Sequence, residues 1–326
     1  MPSVVCFGEA LIDFLADPVT DTGAPQKFTR HAGGAPANVA VAVAQLGTPS
    51  AFVGMLGNDM FGDFLLQQLA DAGVSTDYVV RTDEANTALA FVSLDEKGER
   101  HFSFYRPPSA DLLFRPQHFD AECFASAAIF HVCSNSLTEA DIADTTLDGM
   151  RRAHAAGALV SFDMNLRLNL WPTHADPRPR IWQALREAQL VKLSAGELAF
   201  LAEVAGDEAA VIAELWRGRT QWLWVTDGAA PLRYFTRASQ GHLPVFAVKT
   251  VNSTAAGDAF VGGMLSWLAR ENVTRSNFEK LLAYDTRMLT ALRFAAACGA
   301  LAVTRHGAFE SMPTLAEVQN FLRKHA

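Results

Sequence analysis

Apolar positions follow two rhythms along this chain. Short β-branched or apolar runs alternate with longer stretches in which apolar residues recur every three or four positions. VVCFG (4–8) reads as a strand. PANVAVAVAQLG (36–47) reads as a helix ended by Gly47, and AFVGMLG (51–57) as the next strand and loop. DMFGDFLLQQLADAG (59–73) has helical spacing and a glycine stop. AAIFHV (127–132), ALVSFD (158–163), LVKLS (190–194) and QWLWVTDG (221–228) continue the strands. Helices are expected between them to about Gly157, to about Ala188 and around 207–217. The last third reads as helical over 256–270, 276–303 with an interruption, and 314–325. This alternation predicts an α/β fold, doubly wound, with a mostly parallel sheet and helices on both faces. Crossovers should be right-handed and ligands should gather beyond the carboxyl ends of the strands.

Two segments break the rhythm. Residues 14–31 carry turn formers and little helical periodicity. Residues 86–106 (NTALAFVSLDEKGERHFSFYR) alternate apolar and polar positions around a DEKGE turn, a hairpin pattern. Both are read as a small β lid on a body formed by 1–13, 32–85 and 107–326. A closing lid excludes water from a reaction. The same sheet could serve as a dimer contact.

Composition narrows the function. The chain has 326 residues, half of them apolar and 19% charged, an ordinary globular balance. Its net charge of −8 argues against a nucleic-acid or anionic-membrane binder. An anionic substrate stays open, because backbone N–H groups can hold a phosphate without net basic charge. The cysteines, Cys6, Cys123, Cys133 and Cys298, are widely spaced and form no CxxC. The start carries Glu9 and Asp13 and no basic region, so a reduced cytoplasmic protein is expected. No apolar stretch has the length to span a bilayer.

Candidate chemistry centres on VNSTAAGDAFVGG (251–263). Ser253 or Thr254 can cap a helix that begins near Ala256. The first-turn N–H groups then carry partial positive charge. Ala255, Ala256 and Gly257 have no bulk to keep an oxyanion from them, so the stretch can form an anion hole. Asp258 sits where it could accept a proton from an attacking hydroxyl, although an Asp in a first turn also simply favours the helix dipole. Gly262 and Gly263 imply that a strand or a ligand approaches closely. A second cluster, GGAPANVAVAVAQLG (33–47), places Pro36 at the first helical position and Asn38 in the first turn. Two such helix mouths favour a two-substrate enzyme. GxxxxGK[ST], GxGxxG and HExxH are all absent, which argues against a P-loop, a dinucleotide fold and zinc chemistry.

Over its whole length the chain resembles the ribokinase-like (PfkB) carbohydrate kinases. The resemblance rests on GGAPANVAVAVAQLG, then GMLGNDMFG (54–62), then NSTAAGDAFVGG. Within that family it looks most like the fructokinases, through GEALIDF (8–14), FYRPPSADLLF (104–114), DMNLRLNLW (163–171) and KLSAGELAFL (192–201). The resemblance implies transfer of the γ-phosphoryl group of ATP, with Mg²⁺, to the 6-hydroxyl of D-fructose. It implies a β lid that often mediates dimers. Asp258 would be the base and Ala255, Ala256 and Gly257 the anion hole. Asp13, Gly33, Gly34 and Asn38 would hold the sugar. Arg106 would face the sugar or its developing phosphate, where an isolated strand-end Arg is otherwise a solvated rim charge. Asn165 and Arg167 follow a strand end, and Arg167 could reach the phosphate. Ser194 and Glu197 would lie near the nucleotide, with Glu197 acting on Mg²⁺ through water. Thr226, Asp227 and Gly228 resemble a nucleotide loop, T-x-G-x-x-G, whose second Gly is here Pro231. Adenine would lie between that loop and 294–303. A K⁺ site would draw on Asn252, Thr254, Ala302, Arg305, Gly307 and Ser311, with Asn252 replacing the family's usual Asp.

Two other functions stay open on sequence. One is a kinase for 2-keto-3-deoxygluconate, ribose or a phosphorylated ketose. A phosphosugar would need a cationic lid, to which Lys27, Arg30, His31, Arg100, His101 and Arg106 could contribute. Ala35, where ribokinases tend to carry Lys, leans away from ribose. The other is a catalytically silent relative that binds nucleotide or sugar.

Overall fold

The computed structural model describes residues 3–17, 25–94 and 100–325. The DEKGE turn and most of the turn-rich stretch after Asp17 therefore lie outside the described residues.

The chain opens with β1 (Ser3–Phe7), β2 (Leu11–Ala16) and β3 (Phe28–Gly33), followed by α1 (Ala35–Gln45). Next come β4 (Ser50–Gly57), α2 (Met60–Asp71), β5 (Ser75–Thr82), β6 (Leu89–Leu94) and β7 (Arg100–Tyr105). The middle alternates: α3 (Ala121–Ala125), β8 (Ala127–Cys133), α4 (Ala140–Ala156), β9 (Leu159–Asp163), α5 (Arg178–Glu187) and β10 (Leu190–Ser194). Then follow α6 (Ala195–Ala205), α7 (Glu208–Leu215), β11 (Trp222–Thr226), β12 (Leu232–Thr236) and β13 (Gln240–Leu243). Helices α8 (Ala256–Arg270), α9 (Phe278–Leu282), α10 (Asp285–Ala302) and α11 (Leu315–Lys324) complete it.

Among the described residues the large sheet runs β13-β12-β11-β10-β9-β8-β1-β4-β5. It is parallel from β11 to β5 and antiparallel over β12 and β13. One apolar core joins α1, α8 and α10 to one face of the sheet, and a second joins α4 to α7 to the other. The strand order reverses between β1 and β8, the kind of crevice where α/β sheets bind ligands. A separate small sheet, β3-β2-β6-β7, is built from the segments expected to form a lid.

Three features depart from the sequence reading. STDYVVRT (75–82) is a strand, and β12 and β13 extend the sheet past the nucleotide-loop segment. Helix α5 begins only at Arg178, because Pro172 and Pro177 and a left-handed Asn165 (φ 36°) keep 164–177 irregular. The small sheet starts at Leu11, so Asp13 is a lid-strand residue within β2 and not a residue of the body.

The paired glycines of α8 are explained by helix packing. A Cβ on Gly262 would lie 2.4 Å from Ala42 Cβ of α1, and one on Gly263 would lie 2.7 Å from Cys298 Sγ of α10. Two helices, and neither a strand nor a ligand, make the close approach. Gly262→Val should therefore lower stability by about 1–3 kcal/mol, the usual range for overpacking. Urea denaturation reads this directly, and an unchanged midpoint would show that α1 and α8 have room to part.

Candidate functional site

The mouth of α8 is built without a side-chain cap. Ser253 and Thr254 do not cap the helix as expected; the N-cap is Ala255, left-handed at φ 58°. A non-glycine residue held there is strained, a condition that clusters at functional sites. Asn252, buried, accepts the Thr254 N–H on Oδ1 at 2.7 Å and shapes the approach to the helix. No side chain caps the first turn, and the Ala256 N–H makes only a long 3.4 Å bond to the Ser253 carbonyl; backbone donors at such a helix mouth suit an anion.

Asp258 lies one residue further on and is buried. Its Oδ2 accepts from Asn38 Nδ2 of α1 at 2.7 Å. The two helix mouths singled out in the sequence thus meet at a single hydrogen bond. Burial pushes the Asp258 carboxyl up to about 7, with Asp163 adding to the rise. The Asn38 amide, Lys192 and Arg167 pull the other way. Pro36 takes the second helical position of α1, because that helix starts one residue early, at Ala35. Gly34 precedes it at φ 102°, where a Cβ would meet Glu9 O at 2.5 Å.

The small sheet supplies Asp13, from β2. A Cβ on Gly33 would lie 2.2 Å from Asp13 Oδ2, so the missing side chain makes room for the carboxylate. Burial lifts the Asp13 carboxyl to about 6, with Glu310 adding to the rise and His31 and Arg167 opposing it. Arg167 is exposed, and its charge is felt at both Asp13 and Asp258. Asn165 is buried and anchors its own turn through a 3.2 Å bond from its N–H to Asp163 Oδ1.

Arg106 is not a solvated rim charge. Its exposure is 2%, and its guanidinium donates to Asp111 Oδ2 at 2.8 and 2.6 Å and to Asn135 O at 2.7 Å. It braces the floor beside Glu9, which accepts from Asn135 Nδ2 at 2.9 Å. Asp111 lies beyond the hairpin pattern and gave no sequence signal as its partner.

Ser194 caps α6 in a reciprocal box. Its hydroxyl accepts the Glu197 N–H at 3.1 Å, and Glu197 Oε2 accepts the Ser194 N–H at 2.6 Å. Glu197 Oε1 also accepts the Leu166 N–H at 2.7 Å, tying the loop after β9 to α6.

A cavity of about 480 Å³ opens beside the mouth of α8. Thr226, Gly228, Gly257, Ala296, Gly299 and Val303 contribute to its wall, as does the irregular segment Val245–Val248, which had no sequence signal. Small residues of α10 therefore face the cavity next to the mouth of α8. Asp227 stands outside the lining and closes a turn by accepting the Ala230 N–H at 2.8 Å. Near Asn252, the Ala302 carbonyl accepts from the Arg305 N–H at 3.2 Å, Arg305 pairs with Glu317, and Ser311 is buried. Gly307 is left-handed at φ 91°. Among the described residues, no group of three His, Cys, Asp or Glu side chains gathers as metal ligands. No described helix is long and apolar enough to cross a membrane.

The sequence reading missed one pair. Lys192 Nζ and Asp163 Oδ1 stand 3.0 Å apart, with side-chain exposures of 8% and 3%. Both fall inside the motifs DMNLRLNLW and KLSAGELAFL, but a lysine in a strand carries no signal of an inward-facing charge.

The pfkB family carbohydrate kinase profile matches residues 1–315. The Oryza sativa subsp. japonica protein named Fructokinase-2 is 41% identical over 99% of this chain and 94% of its own length. The solved fructokinase from Xylella fastidiosa with bound ATP is 55% identical, covers 99% of each chain and superposes with a TM-score of 0.96. The solved fructokinase from Vibrio cholerae O395, in its fructose, ADP and calcium bound form, is 34% identical over 99% of each chain, with a TM-score of 0.85.

The electrostatics of Asp258 give a stability prediction. Its folded-state pKa lies above the unfolded value, so ionising it costs the fold stability. That cost grows as pH rises from about 4 to about 7 and is complete above that range. Asp258→Asn should accordingly melt higher than the parent at pH 8, with an advantage that shrinks below pH 7 and is gone near pH 4. A differential scanning series in pH checks it; an advantage that grows toward acid would contradict the burial argument.

Proposed function

We propose that this chain, which belongs to the pfkB family of carbohydrate kinases, transfers the γ-phosphoryl group of ATP to the 6-hydroxyl of D-fructose. It is a phosphotransferase acting on a sugar hydroxyl. The observation that carries the residue assignment is the Asn38–Asp258 bond at the uncapped mouth of α8. It joins a buried carboxylate, an anion-binding helix end and the glycine cluster of α1 in one place.

The steps follow from the groups present. Fructose enters beneath the lid, where the two oxygens of Asp13 accept from neighbouring hydroxyls and Gly33 and Gly34 leave room for the ring. Asn38 holds Oδ2 of Asp258, and Oδ1 takes the proton of the 6-hydroxyl as its oxygen attacks phosphorus. The N–H groups of Ala255, Ala256 and Gly257 stabilise the charge on the transferring phosphoryl oxygens. Arg167 adds positive charge from the open side. The nucleotide occupies the 480 Å³ cavity, with its base against Ala296 and Gly299 and its phosphates toward Gly257. Ser194, Thr226, Asp227 and Gly228 shape its approach.

Mg²⁺ would neutralise charge on the nucleotide phosphates. The site fits a largely hydrated ion, because each Glu197 oxygen already accepts one backbone N–H and keeps capacity for a water. The K⁺ set at Asn252, Thr254, Ala302, Arg305, Gly307 and Ser311 fits less well. Asn252 supplies no charge, and its Oδ1 is engaged by Thr254. Magnesium dependence should therefore be strict and potassium activation weak.

The phosphosugar reading loses support at the lid. Arg30 stacks over Phe64 at 3.8 Å, and Arg106 is engaged by Asp111. The lid is instead suited to pairing with a second copy: Phe28 and Tyr105 are exposed on either side of Phe91, with ring centroids 5.5 and 5.4 Å from it. A cytoplasmic setting agrees with four cysteines that are buried and free.

A substrate panel with ATP and Mg²⁺ tests the sugar. Fructose should give the highest kcat/KM, and a higher value for 2-keto-3-deoxygluconate, ribose or a phosphorylated ketose would overturn the assignment. No turnover of any sugar with nucleotide still bound would favour a regulatory relative. Asp258→Asn should cut kcat by about 100-fold or more, in line with loss of a general base. In the parent, activity should fall as pH drops through about 7, since a protonated Asp258 cannot accept the hydroxyl proton. Asp13→Asn should raise the KM for fructose with a smaller change in the affinity for ADP. An unchanged KM would remove Asp13 from the sugar site.

A further inference from the structure

The Lys192 ammonium is placed where elementary electrostatics disfavours a cation. Strand β10 pairs with β9 so that Lys192 and Asp163 are direct neighbours in register. The Lys192 side chain then runs to the mouth of α8, where a Cβ on Gly257 would lie 3.2 Å from Nζ. A helix amino terminus repels positive charge, and burial adds a further desolvation penalty. Asp163 Oδ1 at 3.0 Å offsets part of this, but it also accepts the Asn165 N–H. An ammonium has three donors, and Asp163 is its ion-pair partner among the described residues.

The surrounding groups keep the lysine charged. Asp163 comes from β9, Glu197 from α6 and Asp258 from α8, and together they outweigh burial and raise the Lys192 pKa. His131 of β8 faces the same charge; burial, and then Lys192, lower it to about 3, so it stays neutral. Its Nδ1 lies 3.0 Å from Ser161 Oγ. A cation fixed beside the positive end of a helix forms a matched site once an anion arrives between the two. Gly257 acquires a second reason to be small: its missing side chain is the space through which Nζ reaches the helix mouth.

We propose that Lys192 is a further catalytic residue, whose ammonium, anchored by Asp163, contacts the terminal phosphoryl group at the mouth of α8 and stabilises its charge during transfer. This rests on the reading of that mouth as the phosphoryl site. As the sugar oxygen bonds to phosphorus and the bond to the β-phosphate oxygen breaks, the hydroxyl proton passes to Asp258. Lys192 neither gains nor loses a proton. Asp163 is a positioning residue that acts through Lys192.

The test compares Lys192→Met with the parent by calorimetric binding of ADP and of the β,γ-imido analogue of ATP, each with Mg²⁺, and by steady-state kinetics. Removal of one such charge contact should lower kcat about 100-fold while the fructose KM stays within about 3-fold. Affinity for the analogue should fall about 10-fold while ADP binds within about 2-fold of the parent, because only the analogue carries the terminal phosphoryl. Asp163→Asn should lower kcat in the same direction by a smaller factor, again sparing the KM for fructose. Equal losses for ADP and the analogue, or a kcat within about 3-fold of the parent, would overturn the proposal. Should Lys192→Met fail to fold with Asp163 left unpaired, the double variant Lys192→Met, Asp163→Asn removes both charges and carries the same expectations. If the parent phosphorylates no sugar, yet its preference for the analogue over ADP depends on Lys192, the kinase reading fails and this contact stands. If the parent is an active fructose kinase indifferent to Lys192, the kinase reading stands and this contact fails.

Discussion

The close packing of α1 against α8 is the constraint on which the site depends. Gly262 lets α8 approach α1 until it lies directly against Ala42 and the Val39 carbonyl. Their amino ends then lie side by side, and Asn38 can reach Asp258. A bulkier contact would part the helices and move two functional groups at once. The glycine pair gives up helix propensity, about 1 kcal/mol per residue against alanine. That sacrifice holds the Asn38 donor against Oδ2 of Asp258 and leaves Oδ1 for the hydroxyl in the proposed reaction. On its other side α8 packs on α10, whose small residues wall the 480 Å³ cavity.

The site is also where the fold accepts electrostatic cost. Asp258 and the Asp163–Lys192 pair are buried, and Ala255 is held left-handed. Each lowers stability, and each places charge or a donor near one point at the helix mouth. Burial is what lifts Asp258 toward neutral pH, where a base shares a proton most readily with a hydroxyl. The rest of the molecule offsets this with two large apolar cores, one on each face of the sheet. The small sheet brings Asp13 in from outside the large one, so in the proposed reaction sugar binding and exclusion of water fall to the same strand.

Much of this was legible in the sequence because it is local. Periodicity marks α1 and α8, and the residues at their mouths can be read directly as Asn38 and Ala255 to Asp258. LVKLS and ALVSFD are strands as their apolar runs imply. What stayed hidden is long-range. A pattern of alternating residues says that Arg106 ends a hairpin strand; it cannot say that Asp111 will fold back to hold it in the interior. Lys192 reads as one polar residue in an apolar run until β9 brings Asp163 beside it. Strands β12 and β13 were missed because an edge hairpin is only half buried and lacks a continuous apolar signal. The capping of α8 was misjudged for a different reason. Ser253 and Thr254 are good caps by type, but the chain turns left-handed at Ala255 and starts the helix beyond them.

The proposed phosphoryl transfer turns on Asp258 as the group that would meet the sugar hydroxyl. A crystal structure of the complex with fructose and the β,γ-imido analogue of ATP would measure that contact. The fructose O6 should lie within about 2.6–3.2 Å of Asp258 Oδ1, the range for a working base, with Asn38 still on Oδ2. Fructose bound with O6 against Asp13 or Asp163, and Asp258 out of reach, would contradict it.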